Sequence, residues 1–95
     1  MVLNDVSLDR TFSPSRDAVV RDVEGEAVVL DMKAGRYFGL NGVGARIWRL
    51  LEADGRLRTV FAALCEEYDA APDDIERDLL ALVGRLVEAR LGELR

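Results

Sequence analysis

Few residues in this sequence could build a reacting centre. Its 95 residues include no histidine and one cysteine, Cys65. The lack of histidine excludes imidazole metal ligands, Ser–His and Cys–His nucleophile pairs and histidine acid–base steps. Cys65 is followed by Glu66 and Glu67. A reactive thiolate needs an electropositive setting, so Cys65 reads as a small buried apolar residue. Asp73, Asp74, Glu76 and Asp78 follow Pro72 without the spacing of a calcium loop. They suit the positive end of a helix dipole instead. Gly42 and Gly44 are not followed by the Lys-Ser/Thr of a phosphate loop. Arg46, Arg49, Arg56 and Arg58 stand beside Glu52 and Asp54 and read as a solvated face. Only a carboxylate pair is left for chemistry, and none is marked out. The expectation is a binding protein, not an enzyme, with no metal and no cofactor.

The elements that would carry a binding surface follow from pattern. Hydrophobic residues make up 49 % of the chain, enough for one globular domain. The single cysteine allows no internal disulfide and suits a reducing cytoplasm; the expected localisation is a bacterial cytoplasm. No apolar run approaches the ~18 residues of a membrane span, and the acidic N-terminus lacks the pattern of a signal peptide.

The stretch from Val28 to Leu51 organises the domain. Ala18–Val23 and Glu26–Met32 read as strands around a two-residue turn, Glu24-Gly25. Pairing Val23 with Glu26 sets Val19 opposite Leu30, with Val19, Val23, Val28, Leu30 and Met32 as the expected core face. Ala18, Val20, Asp22, Ala27, Val29 and Asp31 lie on the other face. Lys33-Ala34-Gly35 reads as a three-residue turn into a third strand, Arg36 to Leu40. Met32 then pairs with Arg36, and Phe38 and Leu40 join the core face. In this register Tyr37 and Gly39 direct their backbone groups to a free edge.

Asn41 is a good cap for a helix from Gly42 to about Ala53, with Trp48 in the core. A second helix spans about Leu57 to Tyr68, although Arg56 is a poor cap. Pro72 opens a third that runs to about Arg90, with Gly92 as a stop. Ile75, Leu79, Leu82 and Leu86 form its main apolar stripe. Leu80, Val83 and Val87 form a second on one side, while the other side carries Asp78 and Arg85. The second stripe either packs on a neighbouring helix or lines a groove. The fold class is α+β and winged-helix-like, with a three-stranded antiparallel sheet followed by three helices. Residues 1–16 read as an arm with a short strand near Val6–Phe12, residues 17–91 as the domain, and 92–95 as a tail.

The ordered set Asp31, Gly35, Tyr37-Phe38, Leu40-Asn41, Gly44-Ala45 and Ile47-Trp48 resembles the PqqD-like family. The likeness continues through Leu50-Leu51, Asp54-Gly55, Leu64, Tyr68-Asp69, Asp78, Leu82 and Leu86. The strand motif looks closer to the stand-alone elements of lasso-peptide pathways than to the coenzyme PQQ type. Arg56 departs from the family pattern, in which Thr or Ser is a common cap. The resemblance implies a winged-helix module that binds the leader of a ribosomally made precursor peptide. It then presents that peptide to a tailoring enzyme, a protease or cyclase in a lasso-type pathway or a radical-SAM enzyme in a PQQ-type one. The leader would add as a strand and lie against the third helix. The expected contact residues are Arg36, Tyr37, Phe38, Gly39, Leu40, Asp78, Leu80, Val83 and Val87. The oligomeric expectation is a monomer or a strand-swapped dimer.

A different class of function is a winged-helix DNA regulator. The net charge of −5 opposes it, because DNA affinity rests on Lys and Arg neutralising phosphates. Neither nucleic acid nor membrane is an expected partner.

Overall fold

The computed structural model describes residues 6–95, so the first five residues of the expected arm lie outside the described residues. Strand β1 is Phe12–Pro14, β2 Ala18–Val23, β3 Glu26–Asp31 and β4 Arg36–Leu40. Helices α1 (Gly42–Ala53), α2 (Leu57–Glu67) and α3 (Pro72–Glu88) follow, then β5 (Gly92–Leu94). The main sheet has the antiparallel order β2-β3-β4, and β1 pairs with β5 in a second, two-stranded ribbon. The α+β expectation of three strands followed by three helices holds. The ribbon was not expected: the arm contributes a strand at Phe12–Pro14, and the tail is its partner.

The first hairpin has the expected register, from Val23↔Glu26 to Ala18↔Asp31. The second is one residue away from expectation, with Asp31, not Met32, opposite Arg36. Hydrogen bonding explains the shift. Met32 donates its N–H to Asp17 O on the β2 side (2.9 Å), so it cannot also face β4. Asp31 starts the turn instead, its Oδ1 accepting from the N–H of Lys33 and of Ala34 at 3.1 Å each. Gly35 closes the turn at φ +73°.

Phe38 and Leu40 lie on the core side as expected, but the core face of β2 and β3 is the opposite of the one expected. Ala27 and Val29 are buried with Leu40, and Ala18, Val20 and Phe38 pack against them. Val23, Met32 and Tyr37 are exposed on the other side. Two features explain this inversion. The small residues Ala18 and Ala27 let helices come close to that face. Its acids sit at the rim and are used there, Asp22 accepting from Arg49 of α1 (2.8 Å) and Asp31 capping the turn.

Asn41 Oδ1 accepts from the Gly44 N–H (2.8 Å), which fixes the start of α1 directly after β4. Arg46 of α1 makes a bidentate pair with Glu67 of α2. Arg56 gives α2 no side-chain cap. Its work is shared instead: Asp54 Oδ1 accepts from the Arg56 N–H, and the Leu57 N–H donates to Arg10 O of the arm.

Phe12 seals the base of the core. It is 1 % exposed and meets Trp48 edge-on, with ring centroids 6.2 Å apart. A Cβ at Gly55 would fall 1.9 Å from Phe12 O, and one at Gly92 would fall 2.1 Å from its ring. Both positions must be glycine for Phe12 to sit between them.

Candidate functional site

β4 pairs on one side only, with β3. The parity set by Met32 and Asp31 directs the backbone groups of Arg36, Phe38 and Leu40 toward β3. Those of Tyr37 and Gly39 therefore point away from the sheet, at an open edge. No proline blocks this edge, and Gly39 offers no side chain to cover it.

Beside the edge runs one flank of α3. The Arg85 guanidinium lies over the Phe38 ring, 5.6 Å from its centroid, within cation–π range. A depression of about 120 Å³ is lined by Asp31, Arg36, Tyr37, Phe38, Ala89 and Leu91. At 100° per residue, Asp78, Arg85 and Ala89 share this flank of α3. The cleft thus has an apolar floor at Phe38, a cation above it and an exposed carboxylate, Asp78, farther up the helix.

Of the residues expected to make contact, Arg36, Tyr37 and Phe38 come together around the depression, and Gly39 continues the edge. Arg36 reaches Asp31 at 4.0 Å, and Tyr37 is 77 % exposed. Leu40 is 5 % exposed and belongs to the core, where only its backbone lies near the edge.

The second apolar stripe of α3 is on the wrong flank for this cleft. Val83 is 0 % exposed, so its side chain lines no open groove. Leu80 and Val87 share their side of the helix with Gly84, where an added Cβ would lie 3.9 Å from Val6. Val87 borders the arm at Ser13, Pro14 and Ser15. The arm and β5 therefore account for the lopsided apolar arc. Arg85, Ala89, Leu91 and Asp31 border this cleft and were not among the expected contacts. The signal was the polar side of α3, which reads as a site only once the arm is seen to cover the apolar side.

Among the described residues no group of acids and thiols could hold a metal ion. No described helix is long and apolar enough to cross a membrane.

A family model described as coenzyme PQQ synthesis protein D (PqqD) matches residues 26–91, which span the sheet edge and all of α3. The chain belongs to the PqqD family. Among solved structures, one match is TbiB1 in complex with the TbiA(beta) leader peptide. It has a TM-score of 0.80 and 37 % identity over 85 % of this chain and 94 % of that one. A lasso peptide synthetase B1 complexed with its leader peptide matches at TM-score 0.70 and 29 % identity, over 87 % of this chain and 98 % of that one. The latter agrees with a likeness to lasso-pathway members within the PqqD family. No curated protein matches the chain.

Proposed function

We propose that this protein is a non-catalytic module that binds the leader of a ribosomally synthesised precursor peptide and presents it to a tailoring enzyme. A protease or cyclase of a lasso-type pathway is the favoured recipient. The observation that carries this reading is the open β4 edge facing the Asp78–Arg85–Ala89 flank of α3. A peptide added there gains main-chain hydrogen bonds from Tyr37 and Gly39, and every second side chain turns toward Phe38 and α3. The relatives solved with leader peptides lend support at the level of the whole fold.

Calorimetric titration with the TbiA(beta) leader peptide tests the reading. Gly39→Pro removes one outward donor and should weaken binding by about 1–3 kcal/mol. Gly39→Ala keeps the donor, and its added Cβ meets nothing within 4 Å, so it should bind as wild type does. In the unsubstituted protein, amide exchange at Tyr37 and Gly39 should slow when peptide is added. Unchanged exchange at both amides would exclude pairing on this edge.

A further inference from the structure

At least six of the twelve arginines in this acidic protein already have a carboxylate. Arg36, Arg46, Arg49, Arg56, Arg58 and Arg77 each make an ion pair. Arg16, Arg90 and Arg95 make none among the described residues, and all three line one depression of about 730 Å³ between the β1–β5 ribbon and the end of α3. Arg10 lines it too, its Nε donating to Arg95 O (2.9 Å). Glu93 carries the one side-chain carboxylate of the lining. The guanidiniums of Arg16, Arg90 and Arg95 therefore make this a basic hollow in a chain whose net charge is −5.

The hollow and the candidate cleft lie on different sides of one turn. The two depressions flank the same turn at the end of α3, with Val87 and Arg90 lining one and Ala89 and Leu91 the other. Ser15, on the wall of the basic hollow, donates its N–H to Leu91 O (2.9 Å). Arg16 directly precedes Asp17, which holds Met32 at the turn that opens β4. The two ends of the cleft also differ in charge. Asp73, Asp74, Glu76 and Asp78 stand at the start of α3 with Arg77 paired to two of them, whereas Arg85 and, just past the helix, Arg90 stand about Glu88 at its end.

We propose that this basic hollow receives carboxylates of the bound peptide, on the segment that leaves β4 at its Arg36 end. The inference rests on the leader-binding reading above and adds a chemical requirement to it. The main sheet is antiparallel throughout, and a peptide continuing that pattern has its C-terminal end at Arg36. The acidic segment is therefore the one that follows the paired strand. The charge polarity of α3 disfavours the reverse direction, in which the same acids would meet Asp78 and Asp74.

Fluorescence anisotropy distinguishes the arms, using the TbiA(beta) leader peptide bare, with three glutamates or three lysines added at its C-terminal end, or with three glutamates at its N-terminal end. At low ionic strength the C-terminal glutamates should tighten binding roughly five- to tenfold and the lysines should weaken it. N-terminal glutamates should bring no gain. The gain should shrink to under about twofold in half-molar salt, where screening acts over a few ångströms. The triple variant Arg16→Gln/Arg90→Asn/Arg95→Gln should lose the gain yet bind the bare leader normally. Asn suits position 90 because its φ is +62°. Should that variant melt early, the peptide series on the unsubstituted protein still decides. Equal binding of the C-terminal glutamate and lysine peptides, or an equal gain from glutamates at both ends, overturns the hollow's role and leaves leader binding standing. Failure of every peptide to bind overturns both.

Discussion

The two flanks of α3 carry opposite kinds of surface. One presents Leu80, Gly84 and Val87, the other Asp78, Arg85 and Ala89. The apolar flank would ordinarily be taken for the docking face, yet this chain's own arm lies over part of it, with Val6 beside Gly84. The polar flank is left open beside β4, with Arg85 stacked on Phe38. An apolar stripe therefore marks what must be covered. It does not say whether the covering comes from another molecule or from elsewhere in the same chain.

Substitutions can break this contrast. The largest effect belongs to Val83→Glu, which buries an unpaired charge among packed side chains. It should cost more than about 3 kcal/mol in denaturant unfolding and leave little folded protein. The matched change on the open flank, Arg85→Glu, should shift stability by less than about 1 kcal/mol. A similar cost at both positions would mean that the flanks are not distinct. An intermediate effect is expected for Asn41→Ala, which removes the cap at the β4–α1 joint. A loss of about 1 kcal/mol in unfolding is expected, with weaker leader binding if the joint fixes the edge. Arg85→Ala should leave the melting temperature nearly unchanged and alter leader affinity by about 0.5–1 kcal/mol, through the lost cation–π contact.

The smallest effect is one of pH and lies away from both flanks. Hydrogen bonds from the Arg56 side chain, and then from its backbone N–H, hold the Asp54 carboxyl down at about 2. A folded-state pKa below the unfolded one stabilises the fold above the ordinary carboxylate range. That contribution is lost as pH falls from about 4 toward 2. Asp54→Asn should flatten this part of the acid-unfolding curve, and an unchanged curve would remove Asp54 from the linkage.

Local signals carried far in this sequence. Asn41 before Gly42, Pro72 before three acids, and Glu24-Gly25 between β-branched runs mark their elements by chemistry that acts within a few residues. The first strand register followed from the same turn. The sheet's buried side did not, because both faces are apolar and the acids at Asp22 and Asp31 made the true core face look the more polar. Their roles, pairing with Arg49 and closing a turn, depend on residues that sequence spacing does not relate. Phe12 was hidden for the same reason. Gly92 read as a helix stop, and only the fold shows it and Gly55 as the two walls of one slot. At the open edge, the outward-facing backbone of Tyr37 and Gly39 was legible from alternation. The partner flank of α3 was not, since choosing it required knowing where the arm lies.

The β1–β5 ribbon has a consequence for the order of assembly. Its pairs join residues 12–14 to 92–94, whereas every pair in the main sheet lies within a hairpin. Hairpins and helices form on microsecond timescales, but bringing the two ends of the chain together requires closing almost all of it into one loop. The ribbon should therefore zip last and open first, with the backbone bonds between Thr11 and Arg95 exchanging faster than those of β3. Each opening would release Phe12 from its slot and lift the arm from α3. The apolar flank would then be bare for a moment, which makes this clasp the place where proteases or aggregation would first take hold.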